Sequence, residues 1–136
     1  MARFDQVIYT DRALEERLGF PRFVRSGHTL YMSGMLSADE NFNLVGPGDM
    51  AAQIHRIYTR MEAALKVVGC NLQNVLCEIL FTTDLTALSA ASSVRTEFYR
   101  RANASKPAST AVQVAALALS GAMLEIHPTI EVTPAP

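Results

Sequence analysis

Apolar residues recur along this chain in two rhythms, one of helices and one of strands. Between Met50 and Val68 the positions Ile54, Ile57, Tyr58, Met61, Leu65 and Val68 are spaced by turns of three and four, which builds one apolar stripe on a helix. Asp49 stands where a cap belongs, and Gly69 supplies the breaker. Leu88, Ala91, Val94, Phe98 and Ala102 repeat the pattern and predict a second helix ending near Asn103, with Pro107 confirming the break. The strand rhythm is shorter. Arg22–Ser26 and Thr29–Leu36 flank Gly27-His28, a turn signal that pairs them as a hairpin. Val75–Thr83 is nearly continuous in apolar residues, as expected of a central strand buried on both faces. Thr110–Ala116 and Met123–Val132 close the chain as strands around a Ser120-Gly121 loop, with Pro128 expected to disturb the last one locally. Phe4–Tyr9 reads as a short N-terminal strand, and Asp39–Gly48, rich in Asn, Asp, Gly and Pro, reads as a loop.

This order of elements predicts helices covering one face of a sheet. At 136 residues the chain is expected to form one domain spanning residues 1–136. Composition adds one constraint. Hydrophobic residues make up 49% and charged residues 18%, too little charge to cover a small isolated globule, so apolar surface is expected to be buried between subunits. The formal net charge of −1, with basic residues spread along the chain, gives nucleic acid or anionic lipid no electrostatic footprint. Cys70 and Cys77 lack the spacing of a metal or redox pair and read as free thiols. The start Met1-Ala2-Arg3-Phe4-Asp5 has no apolar leader, and no apolar run approaches the roughly 20 residues that span a bilayer. A cytoplasmic protein without membrane partners is therefore expected.

Four stretches carry chemistry, in order. Gly27-His28-Thr29-Leu30-Tyr31-Met32-Ser33-Gly34 is followed by Thr83-Asp84-Leu85, then Pro107-Ala108-Ser109-Thr110-Ala111-Val112-Gln113-Val114, then Glu125-Ile126. They resemble, respectively, the G-N-T-L-Y-V-S-G hairpin, the T-D-L strand end, the P-A-R-S/T-x-V-x-V signature and the E-I-E strand of the RidA/YjgF family, whose enzymes hydrolyse reactive 2-imino and enamine acids. The likeness runs from about Gly19 to Val132, with one extra residue between Val114 and Glu125. It implies a chorismate-mutase-like α+β fold: a mixed sheet with two helices packed on one face, assembled as a homotrimer with a small-molecule cleft at each subunit boundary. No metal or cofactor is implied, because an imine is already an activated electrophile.

In that family an arginine clamps the substrate carboxylate, a glutamate on the last strand handles water, and backbone groups near Ser-Gly complete the pocket. Glu125 matches the glutamate and is the catalytic candidate; Ser33 and Gly34 match the Ser-Gly pair. His127, two residues beyond Glu125 and so on the same strand face, stands where a second glutamate is usual. Ser109, beside Thr110, stands where the arginine belongs, Ser92 where an asparagine belongs, and Phe20 where a tyrosine belongs. Each replacement weakens polar recognition, and Ser109 exchanges a fixed cationic fork for a neutral hydroxyl. Lost charge-assisted hydrogen bonds of about 1.5–3 kcal/mol each lead to the expectation that small 2-imino acids bind poorly. Either the substrate lacks an α-carboxylate, or another cation reaches the cleft. Arg22, Arg25 and Arg95 lie near the matching segments, each read as a solvated surface residue by default. The expected activity is hydrolytic deamination of an imine, enamine or similar metabolite. The alternative is a trimer that binds such a metabolite without catalysis. A holdase role and RNA cleavage have no feature here that favours them.

Overall fold

The computed structural model describes residues 5–133. Asp49 accepts a hydrogen bond from the Ala52 amide at 3.0 Å and starts α2 (Met50–Val67), whose stripe of Ile54, Ile57, Tyr58, Met61 and Leu65 is fully buried. That stripe lies on a seven-stranded sheet ordered β1-β2-β3-β7-β5-β6, with the short β4 also paired to β7. The strands are β1 (Gln6–Ile8), β2 (Phe23–Ser26), β3 (Thr29–Met32), β4 (Met35–Leu36), β5 (Val75–Thr82), β6 (Ala108–Gln113) and β7 (Leu124–Glu131). All pairings are antiparallel except β5 with β6, so the sheet is mixed. Phe4, where the sequence starts its first strand, lies outside the described residues. No helix among them is long and apolar enough to cross a membrane.

Several expectations change. The second helix divides into α3 (Leu85–Ala90) and α4 (Ser92–Arg101), joined at Ala91. Ser89, Ser92 and Ser93 crowd this point, and serine has a lower helix propensity than the alanine and leucine around it. An additional helix, α1 (Arg12–Leu18), precedes β2; Asp11 caps it and Gly19 ends it in the left-handed conformation at φ 90°. Finally, β5 is buried on one face only: Glu78, Leu80 and Thr82 point toward the helices, whereas Cys77, Ile79 and Phe81 are half-buried on an open face. An apolar run marks a strand with apolar neighbours on both sides, and in the single chain the second side is uncovered.

β3 and β4 are one predicted strand broken at Ser33-Gly34. β7 pairs β3 at residues 129–131 and β4 at residues 125–126, leaving His127 and Pro128 without partners on that side. Pro128, which has no N–H, sits where no ladder bond is required, and its pairing with Glu78 on the other side continues. β6 runs from Ala108 rather than Thr110, because the parallel register with β5 begins at Cys77 and Ala108.

The loops are tied down by one buried amide. Gln53 on α2 donates from Nε2 to the carbonyls of Gly46 (3.0 Å) and Gly121 (3.3 Å), and its Oε1 accepts from the Met123 amide (2.8 Å). Gln53→Leu leaves these backbone groups unpaired, so urea denaturation is expected to show a loss of about 1–3 kcal/mol.

Candidate active site

β7 aims Glu125 and His127 at the open face of the sheet, opposite Phe81 and Ile79 of β5. The break between β3 and β4 brings Gly34 against Glu125. A Cβ built on Gly34 would overlap the Glu125 carboxylate, lying 3.0 Å from Cδ and nearer still to Oε1, so only glycine fits without displacing the acid. Phe20, just after α1, joins Gly34 and Glu125 in a cavity of about 280 Å³ that also meets Arg22, Phe42 and Arg60. His127 shares with Glu125 and Gly34 an adjoining cavity of about 400 Å³ walled by Phe81 and the 114–118 segment. Among the described residues nothing hydrogen-bonds the Glu125 carboxylate. Burial raises its pKa above the ordinary carboxylate value, and His127 partly offsets this. A carboxyl held this way gives up its proton less readily than an exposed one and takes one back more readily. Gly34→Ala is expected to push the Glu125 carboxylate off its position at little cost in stability, because the new methyl meets only the end of that flexible side chain, while lowering any Glu125-dependent turnover; parallel thermal and kinetic assays would show both.

Ser109 and Ser92 lie elsewhere. Ser109 pairs in register with Glu78, which puts its side chain on the helix face, the opposite side of the sheet from Glu125. It borders a second cavity of about 280 Å³ with Ser92, Arg95, Leu85, Leu88 and Ala111. Thr110, one residue on, returns to the open face with Ile79 between it and His127. The Ser33 side chain is already engaged. Its hydroxyl donates to the Pro21 carbonyl at 2.7 Å and its amide to Arg22 at 2.9 Å, which fixes the turn that presents Gly34.

The arginines also differ from their default reading. Arg22 is 5% exposed and pairs with the buried Glu15 at 3.2 Å; burial lowers its pKa and Glu15 counteracts this. Arg25 is as expected, hydrogen-bonded at the surface to the Gly27 carbonyl. Arg95 crosses from α4 to β6, with Nη2 3.0 Å from Ser109 Oγ. The same guanidinium grips Glu78 on β5, Nη2 at 2.7 Å and Nε at 3.0 Å, and Nε also reaches the Tyr58 hydroxyl at 3.0 Å. Tyr58 donates to Glu78 from 2.8 Å, and Tyr99 makes a further short contact to Glu78 Oε1. Burial and the adjacent carboxylate hold both phenols well above their usual pKa. For Arg95 burial acts downward, but Tyr58 and Glu78 outweigh it and the pKa rises. Sequence reading missed Glu78; its signal was a carboxylate inside an otherwise apolar run.

This mixed sheet, with a glutamate on the last strand and a Ser-Gly turn against it, defines a family. The chain matches the one described as Endoribonuclease L-PSP over residues 10–132. It is 30% identical over 102 residues to a 3-aminoacrylate deaminase RutC of Acinetobacter baylyi, covering 75% of this chain and 78% of that protein. Among solved structures, the YjgF gene product of E. coli superposes with a TM-score of 0.82 at 22% identity, covering 93% of this chain and 98% of the other. RidA of a Psychrobacter species superposes with a TM-score of 0.71 at 30% identity, covering 84% and 89%. The chain belongs to the RidA/YjgF family, for which trimers are typical.

Proposed function

We propose that this protein is a hydrolytic deaminase of a small imine or enamine, working in clefts between the subunits of a homotrimer. The observation that carries this reading is the Glu125 carboxylate: half-buried, raised in pKa, without a protein donor among the described residues, and occupying the space that a side chain at position 34 would fill. Such a group takes a proton from water as the oxygen attacks the imine carbon, then returns it to nitrogen. The resulting carbinolamine collapses to a carbonyl compound and ammonia. An enamine first accepts a proton at carbon and gives one up from nitrogen, which makes it the imine. The deaminase named among the relatives, acting on 3-aminoacrylate, supports this class of reaction.

Assembly follows from the sheet. Glu125 and Ser109 occupy opposite faces of one chain, so a small molecule touching both sets of residues requires two chains. The half-covered Ile79 and Phe81, together with exposed Val112, provide apolar surface for such contact. RNA cleavage, suggested by the family's description, has weaker support: a net charge of −1 offers little to a phosphate backbone.

The test is ammonia release from freshly generated 2-iminopropanoate, 3-aminoacrylate and a panel of neutral imines and enamines. Turnover of at least one compound that is lost in Glu125→Gln is expected. Saturable binding with no product from any of them would instead leave a non-catalytic metabolite-binding trimer.

A further inference from the structure

The cavity at Ser109 contains an arginine whose charge is already answered. Arg95 meets Glu78 through two nitrogens, and Glu78 lies 1% exposed beneath two tyrosine hydroxyls. Arg95 Nη1 has no hydrogen-bond partner among the described residues, and no buried side-chain nitrogen there is left unsatisfied, so this donor remains open to solvent and to a ligand. The Ser92 and Ser109 side chains border the same space, and the remaining wall of Leu80, Leu85, Leu88 and Ala111 is apolar. An unpaired arginine attracts carboxylates; one paired with a buried carboxylate acts chiefly as a fixed hydrogen-bond donor. A second carboxylate on Arg95 would meet Glu78 across the same guanidinium, and an apolar wall screens that repulsion poorly.

We infer that the Arg95–Glu78 pair makes this cavity a subsite for a neutral hydrogen-bond acceptor, such as an amide carbonyl, and excludes the α-carboxylate of 2-imino acids. The inference rests on the reading that the cavity forms part of the metabolite cleft. Arg95 is then the specificity-determining donor, and Glu78 is a positioning residue that also removes its net charge. Tyr58 and Tyr99 hold Glu78 and thereby orient Arg95, while Ser109 leaves room for the ligand and adds a hydroxyl that donates or accepts. Two of the three losses of polar recognition in the sequence, at Ser92 and Ser109, meet in this subsite, which reads shape and neutral polarity instead of charge.

Pyruvamide and pyruvate differ only in amide against carboxylate and serve as probes. Isothermal titration calorimetry on the full-length assembled protein is expected to show pyruvamide binding at least about tenfold more tightly, a factor that corresponds to about 1.4 kcal/mol. Glu78→Gln keeps an acceptor for the tyrosines but frees the charge on Arg95, and should raise pyruvate affinity about tenfold or more. Ser109→Ala leaves the ion pair in place and should weaken pyruvamide severalfold. That variant carries the test if Glu78→Gln does not fold. Equal or tighter binding of pyruvate to the wild type, an unchanged order in folded Glu78→Gln, or binding of neither probe overturns the inference. The outcome is separable from turnover: a pyruvamide preference with no ammonia release from any substrate would remove the deaminase reading and leave the subsite standing.

Discussion

Arg95→Met is expected to lower unfolding stability by about 3–5 kcal/mol, the range for breaking a buried ion pair. The substitution keeps the apolar stem but leaves Glu78 charged and 1% exposed, with only Tyr58 and Tyr99 as donors. Since Arg95 retains 14% side-chain exposure, the lower half of the range is the better expectation. Domains of this size are typically stable by about 5–15 kcal/mol, so the loss is a large fraction of the total and easily measured. Adding Glu78→Gln removes the uncompensated charge while preserving an acceptor for the phenols, and should recover most of the loss. A double-mutant cycle by urea denaturation measures this coupling directly. A loss below about 1 kcal/mol for Arg95→Met, the level of an exposed pair, would mean that solvent reaches Glu78 and that the pair cannot govern the cavity as described.

The residues of this pair show what sequence could and could not deliver. α2 was legible because Asp49, the three-and-four stripe and Gly69 agree, and local signals that agree leave few alternatives. α1 escaped notice although Asp11, Leu14, Leu18 and Gly19 bracket it, because seven residues offer too short a period to stand out from loop. Glu125 and His127 were placed on one face by strand alternation, and the fold keeps them there. Glu78 was hidden for the opposite reason. Apolar neighbours in β5 averaged it away, and its partners Tyr58, Arg95 and Tyr99 come from two helices whose docking no local pattern encodes. Ser109 was readable as a departure from the resembled signature; that Arg95 of α4 reaches its hydroxyl is a tertiary fact. Ser33 was read for its backbone, and the bond from its hydroxyl to Pro21 that holds this backbone in place is a tertiary contact no motif records.

Glu125→Gln is expected to reduce turnover by about 10²–10⁴-fold, the contribution of a positioned general acid or base, while making the protein more stable. Burial raises the Glu125 pKa above the ordinary 4.5, so between that value and the raised one the folded state binds more protons than the unfolded state. Stability therefore falls as pH rises through the window. The penalty is absent below the unfolded pKa and fully present above the folded one. Glutamine, which never ionises, escapes it. The stability difference between variant and wild type should consequently appear as pH rises past about 4.5 and reach a plateau. In the wild type, kcat/KM for an active substrate should fall on the acid side with a midpoint above 4.5, where a base at Glu125 becomes protonated. Thermal unfolding across pH 3–8 and the matching pH–rate profile examine the two consequences separately. A variant less stable than wild type at neutral pH would show that Glu125 is held by favourable contacts, and its role as a poised proton carrier would fall with that result.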